Sequence, residues 1–459
     1  MERDASGCMA CINATARSPL DCHLDVGPLI VPGPIVRIAP TEVDVCDVNA
    51  LKTIYTVRET FLKPVWYQHF TTFGKENVFN TNNVEFHRRH RRLLSGPISE
   101  SSLREYKDLV DSRCALTLQR MKEDMRSKGA ADLFKWWMFF ATDVIGEMTF
   151  GESFQTLEHG QKTDYVRMLG ETGALGVVRS TFPLLTSIAS RVPLPFFSKA
   201  VAYSRNLTRY AGESLGRHKK LVEATPELAR QTLFTNLLKA KEDDMLTFEE
   251  LRNEAEVYII GGSDTTMITL TYLVWLVCRH PAVQSALVKE LELLPDGFDE
   301  QHLKDSPYLN QVISETLRLY PAAPSGLPRL VPPGGADLCG YPLPAGVTVC
   351  SQAYSMHRDA DIFPDPEAFD PSRWASPTRA MKEAFMAFGK GARVCIGIHL
   401  AHLELRLATA RFFLAFPDVT VAAVDGMSDE DMEQVIHFLL APKGRRCLVH
   451  SEIGASEEI

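Results

Sequence analysis

Cys395 stands in a setting made for chemistry. In FGKGARVCIG, Phe388 to Gly397, two separated glycines and Arg393 precede it. The glycines allow a tight turn. From Cys395 onward, CIGIHLAHLELRLATARFFLAF reads as an amphipathic helix. The N-terminus of that helix would aim backbone N–H groups and its positive dipole end at the sulfur. Such donors favour the thiolate, the cysteine form that acts as nucleophile or soft metal ligand. Arg393 is a candidate partner for an anion. A second candidate is GGSDTT, Gly261 to Thr266, inside the long helical pattern Leu246 to Pro281. An acid and two glycines inside an apolar helix each cost stability, so they point to a use. The Thr265 hydroxyl can bond the Gly261 carbonyl one turn earlier. The two glycines would open the helix groove to a small ligand and water. A third pair, Glu315 and Arg318 in ETLR, shares one face of a helix among apolar neighbours.

The elements that must position these residues come from an ordinary globular chain. It has 459 residues, 45% hydrophobic and 23% charged, with net charge −9. That balance gives no general support for nucleic-acid binding, although HRRHRR, His87 to Arg92, is a local basic run. Ten scattered cysteines do not make a disulfide scaffold, and most read as buried, reduced residues. The lone C-x-x-C at Cys8 to Cys11 reads as part of a poorly ordered N-terminus. No apolar run near the ~20 residues needed to span a bilayer appears in the first thirty, nor does a signal peptide. IVRIA and EVDVCDV predict a strand pair, and Leu103 to Ala282 is mostly helical. DLFKWWMFFATDVIGEMTFG predicts a buried core helix. VTVCSQAY and DVTVAAV predict short strands in the last third. No composition break marks a linker. The expectation is one large, mainly α domain with small β-sheets over residues 34–450, flanked by segments 1–33 and 451–459.

Phe388, Gly391, Arg393, Cys395 and Gly397 together resemble the heme-binding loop of the cytochrome P-450 family, the heme-thiolate monooxygenases. GGSDTT, ETLR and FHRRHRRLL lie in the family's order. The resemblance runs from GPIVRIAPTEV to HFLLAPKGRRCLV. It implies the cytochrome P-450 fold enclosing heme b, with Cys395 as axial ligand to the iron. It implies that Arg373 of FDPSRW joins Glu315 and Arg318 in a fold-locking triad. It implies that Asp264 and Thr265 deliver protons to bound dioxygen. His87, where many members carry tryptophan, would face the heme carboxylates with Arg91, Arg329 and Arg393. Gly261, Phe388 and Gly397 complete the expected cofactor contacts. Arg88, Arg89 and Arg92 form a solvated face where an acidic electron donor would dock.

The resemblance further implies electrons from NADPH through NADPH-cytochrome P-450 reductase, with cytochrome b5 as a further candidate donor. The chain shows no flavin or nicotinamide fingerprint of its own. A monomer acting on a small hydrophobic substrate with O2 is expected. HRDADIFPDPEAFDPSRW and ATDVIGEMTFG resemble filamentous-fungal members that oxidise secondary metabolites. Phe61 to Phe79, Phe182 to Phe197, Ala322 to Leu327 and Ile436 to Leu439 are the expected pocket segments. A desaturase or isomerase, and a heme-binding protein without turnover, stay open as alternatives. Microsomal members sit on the cytoplasmic side of the endoplasmic reticulum through an N-terminal anchor. No anchor is seen ahead of GPIVRIAP, so a soluble cytoplasmic chain, truncated or from an alternative gene model, is the other expectation.

Overall fold

The computed structural model describes residues 34–70, 75–182, 195–225, 230–239 and 246–453. The Cys8 to Cys11 motif, segment 1–33 and most of the Phe182 to Phe197 segment lie outside them. Alternation in the first described residues produces the expected strand pair. Ile35–Ala39 (β1) and Glu42–Val45 (β2) are antiparallel, and Val43 and Val45 point into a core. β2 then runs parallel to Thr348–Cys350 (β4), which pairs antiparallel with Arg329–Leu330 (β3). The sheet order β1-β2-β4-β3 puts Arg329 on the edge strand away from β1, where Leu330 bridges to Leu62.

The predicted strand VTVCSQAY is shorter than its pattern suggests. Ser351 donates its N–H to Tyr55 Oη at 2.9 Å and its hydroxyl to the Val45 carbonyl at 2.7 Å. Those bonds replace the ladder, and Ala353–Met356 turns as a helix instead. DVTVAAV likewise reduces to Thr420–Val421, paired with Leu448–His450.

The helices carry the rest. The ones that build the site are Val84–Ser95 (α1), Lys107–Lys128 (α2), Leu133–Phe150 (α3), Phe248–Arg279 (α4), Pro307–Leu319 (α5) and Ile398–Ala415 (α6). Every residue of α3 except Lys135 is buried, as expected of a helix apolar on all sides. α4 starts at a capping box, with Thr247 and Glu250 satisfying each other's backbone donors. It makes its most extensive contact with α3. Gly262 permits that contact, because a Cβ there would lie 2.8 Å from Ile145 Cγ1. This corrects one expectation. Successive helix residues are turned about 100° apart, so only Gly261 lies on an open face, while Gly262 serves helix packing.

α6 packs against α2, α4 and α5 in the same large core. A second, smaller core under the sheet joins Tyr55, Phe61, Val349, Phe363 and Met386. No described helix is long and apolar enough to cross a membrane. The cysteines among the described residues are all free.

Candidate heme-thiolate site

The loop before α6 is bent by Gly391, whose φ is +67°. A Cβ at Gly391 would lie 2.3 Å from the Tyr55 carbonyl oxygen, so both the turn and the close approach require glycine. The Cys395 N–H donates to the Phe388 carbonyl at 2.9 Å and closes the loop. Gly397, the N-cap of α6, directs its N–H at the Cys395 sulfur. Arg91 donates to the Val394 carbonyl at 2.5 Å, and its charge acts on the same sulfur. Burial nonetheless pushes the thiol above its ordinary value. The residue is deeply set, yet its side chain is accessible while its loop neighbours are partly covered. It lines an interior surface instead of filling a core. Phe388 packs on His402, with ring centroids 5.2 Å apart.

α4 presents a matching surface. Val257, Ile260, Gly261, Asp264 and Thr265 are accessible at helical spacing, whereas Ile259, Ser263 and Thr266 are buried. Tyr258 is near enough to Cys395 and Arg91 to feel both charges. The expected bond from Thr265 Oγ1 to the Gly261 carbonyl is present at 2.7 Å. Burial pushes the Asp264 carboxyl up to about 6, against the opposing pull of Lys162 and Arg445. A carboxyl with that value can both take and release a proton near neutrality.

Between α1 and the sheet lies a buried cluster of charge. Arg393 donates to Glu59 Oε2 at 3.1 Å and to the Thr81 carbonyl at 2.9 Å. His87 Nδ1 lies 2.6 Å from Glu59 Oε1, off the line of a well-formed hydrogen bond. Arg329 donates to Tyr67 Oη at 3.2 Å and to the Pro328 carbonyl at 2.8 Å. Its guanidinium lies over the Tyr55 ring. Lys63 is 6% exposed, donates to the Phe79 carbonyl and has its ammonium over the Tyr67 ring. Burial, with Arg329 and Arg393 nearby, holds its pKa well below the ordinary lysine value. One carboxylate, Glu59, thus faces three basic side chains, Lys63, Arg329 and Arg393, together with His87. Lys63 and Glu59 escape a sequence reading because an isolated lysine or glutamate carries no spacing signal. Arg91, also expected here, is near enough to act on Glu59 and His87, and it braces the cysteine loop as well.

The triad is present as expected. Glu315 and Arg318 are fully buried and bonded through two contacts of 2.8 Å, and Arg373 Nε reaches Glu315 Oε1 at 2.9 Å. His357, not anticipated, joins this triad to the segment entering the cysteine loop. Its Nδ1 bonds the Arg318 carbonyl at 2.9 Å, and its Nε2 accepts the Met386 N–H at 2.8 Å. Those partners require the neutral ring with its proton on Nδ1. Burial lowers its pKa from 6.5 to about 3. The unfolded chain therefore gains a proton below pH 6.5 that the folded chain refuses, and stability falls as pH drops through that window. The expected loss is about 2 kcal/mol at pH 5. In urea unfolding at pH 7 and pH 5, His357→Gln should show a smaller pH dependence than the parent; an equal dependence would assign the proton elsewhere.

The residues fit the group that the sequence implies. Among the described residues no three His, Cys, Asp or Glu converge to hold a bare metal ion. A metal at Cys395 therefore needs its other donors from a bound ligand. Heme supplies four ring nitrogens and two carboxylates. Cys395 would hold the iron, and the excess of buried cations around Arg329 and Arg393 would meet the carboxylates.

Comparison with known proteins agrees. The cytochrome P-450 family model matches residues 32–449. The chain is 46% identical over 419 residues to the cytochrome P-450 monooxygenase tazI of Aspergillus terreus, covering 91% of this chain and 86% of that protein. It is 40% identical over 451 residues to the cytochrome P-450 monooxygenase azaI of Aspergillus niger, covering 93% and 96%. With aflV of Aspergillus parasiticus, also a cytochrome P-450 monooxygenase, identity is 32% over 91% of this chain and 84% of that protein. A deeply set thiol at a helix start and a match across almost the whole described chain lead to one assignment: this protein belongs to the cytochrome P-450 family.

Proposed function

We propose that the chain is a heme-thiolate monooxygenase that oxidises a small hydrophobic metabolite of fungal secondary metabolism, using O2 and electrons relayed from NADPH by a reductase. The observation that carries this reading is that Cys395 and, on α4, Gly261, Asp264 and Thr265 all stay accessible although Cys395 and Asp264 are deeply set. When bound, the heme supplies oxygen activation at iron and the power to oxidise an unactivated C–H bond. The chain's own residues do the rest. Cys395 anchors the iron and donates electron density. His87, Arg329, Arg393 and Lys63 fix the orientation of the carboxylate edge. Asp264 holds a proton for delivery, and Thr265 orients the acceptor of that proton from the face of α4 that Gly261 leaves open.

An apolar substrate is supported by Ile260, which is 37% exposed beside Gly261. Support also comes from an aromatic cluster. Trp66, Tyr67 and Phe79 lie in the predicted 61–79 segment, and Phe438 belongs to the turn after Gln434–Ile436. The centroids of Trp66 and Phe438 are 6.0 Å apart, and those of Phe79 and Phe438 are 6.1 Å apart. Two of the expected pocket segments thereby meet. Docking of an acidic electron donor is supported by Arg88, 63% exposed at its side chain, and by the exposed Arg92 on α1, whereas Arg89, expected on the same face, is drawn into an ion pair with Glu250 at 3.0 Å.

Thr265→Ala tests the proton-delivery assignment. With NADPH and a competent reductase, the variant is expected to lose product and to release severalfold more hydrogen peroxide per NADPH consumed. Unchanged product and peroxide yields would remove Thr265 from the reaction.

A further inference from the structure

A surface cleft of about 590 Å³ opens where the helix Pro195–Ala224 meets the start of α4. That is the size of a small-molecule site. Four basic side chains line it, Lys75, Arg205, Arg209 and Arg252, against one acid, Glu213. They come from three separate stretches of the chain, so no single basic run explains their meeting. Arg205 is exposed and makes no ion pair with the described residues. Arg209 has Glu213, one turn away at 3.3 Å, and both are open to water. Such a pair holds neither charge firmly. Arg252 donates from Nη2 to Glu249 Oε1 at 3.0 Å and to Asn253 Oδ1 at 3.4 Å, while its Nε is buried without a partner. Its guanidinium therefore keeps donors in hand. Lys75 forms the inner wall. Its ammonium lies 2.9 Å from both Glu256 oxygens and also donates to the Thr208 hydroxyl. Burial lowers the Lys75 pKa, and Arg252 is near enough to lower it further. Like charges are thus held together at a cost. The floor is Gly212. A Cβ there would meet only Arg252 Cδ, at 3.5 Å, an ordinary contact. Packing does not demand glycine, and the helix would gain from alanine. What glycine provides is open space over the Arg252 stem.

We propose that this cleft binds a small organic anion through a carboxylate or phosphate group. Arg205, Arg209 and Arg252 take the oxyanion, because a planar guanidinium can donate two parallel hydrogen bonds to either group. Glu213 and Glu249 yield their arginines to it, since both acids are exposed and exposed pairs exchange easily. Lys75 stays with Glu256 and shapes the inner end. An oxyanion alone is far smaller than the cleft. The remaining space takes the organic body, over Gly212 and along the apolar stems of the arginines. The site is separate from the cysteine chemistry. Arg252 precedes Gly261 by nine residues of α4, about 13 Å along the helix axis. It is separate also from the basic face of α1, to which none of the lining residues belongs.

Calorimetric titration of the heme-loaded full chain with benzoate, phenyl phosphate and inorganic phosphate tests this, with the Soret band followed in parallel. One saturable site per chain is expected for benzoate or phenyl phosphate at millimolar concentration or below. Inorganic phosphate should bind severalfold more weakly, and the Soret band should not move. The tighter of the two organic probes identifies the oxyanion. Arg205→Gln combined with Arg209→Gln, both at exposed positions, should weaken binding about tenfold or more. Gly212→Leu, which fills the floor and favours the helix, should abolish it with no loss of thermal stability. Lys128→Gln, at the exposed end of α2, should change nothing. No saturable binding of benzoate or phenyl phosphate would overturn the proposal. So would equal weakening by Lys128→Gln and by the arginine pair, which would reduce the effect to general surface charge. A Soret shift that tracks binding and survives in both cleft variants would put the ligand in the heme pocket and overturn it too. Inorganic phosphate binding as tightly as both organic probes would remove the organic body from the proposal.

Discussion

Cys395→Ala is expected to abolish the strongly red-shifted Soret band that the reduced protein gives with carbon monoxide, and all turnover with it. The geometry explains why no neighbour can substitute. The loop is closed by the bond from the Cys395 N–H to the Phe388 carbonyl and pinned by Gly391 under Tyr55. Both contacts are backbone contacts, so alanine should leave the loop in place and remove only the sulfur. The protein by itself does not ionise this thiol. The Gly397 N–H and Arg91 favour the anion, but burial outweighs them. A bound metal cation reverses that balance, because a coordinating thiol is deprotonated outright. The protein would thus supply direction, and a bound iron would supply the ionisation. The decisive measurement is the carbon monoxide difference spectrum of both proteins, normalised to bound heme. A red-shifted band surviving in Cys395→Ala would place the axial ligand elsewhere and remove the basis of the proposed function.

Much of this site was legible because its parts have spacing. Cys395 with its glycines, Thr265 one turn after Gly261, and Glu315 with Arg318 are local patterns whose geometry a helix or tight turn imposes. The long α4, the all-buried α3 and the strand pair β1–β2 follow from periodicity alone. What could not be read is set by tertiary contact. Lys63 and Glu59 meet Arg329 and Arg393 through contacts between distant parts of the chain, the bridge from Leu62 to Leu330 and the ion pair of Glu59 with Arg393. His357 matters because two backbone groups far apart in sequence converge on its ring. The two glycines of GGSDTT are a milder case. Their presence was informative, but their division of labour depends on which side of α4 meets Ile145.

Arg318→Ala is expected to cost about 3–5 kcal/mol, the range for leaving a buried charge without its partner. Against the 5–15 kcal/mol that separates folded from unfolded states in most domains, that is a large share. Glu315 accepts five hydrogen bonds: two from Arg318, and one each from Arg373 at 2.9 Å, Trp374 Nε1 at 2.8 Å and the Asp370 N–H at 3.0 Å. Arg318 also donates to the carbonyls of His357, Pro366 and Ala368 at 2.6–3.0 Å. Removing it takes two of those five bonds from the buried carboxylate, leaves Arg373 as its one cationic partner, and frees the loop that leads through Met386 to Cys395. Arg373→Ala should cost less, since Arg373 makes one bond to Glu315 and its side chain is 8% exposed, against 0% for Arg318. Thermal unfolding, together with the fraction of purified protein that gives the carbon monoxide band, ranks the variants. The expected order of loss is Arg318→Ala, then Arg373→Ala, then the parent. Pairing Glu315→Gln with Arg318→Met removes both charges and should recover part of the loss. If the pair is no better than Arg318→Ala alone, the penalty arises from the three loop carbonyls and not from the stranded carboxylate.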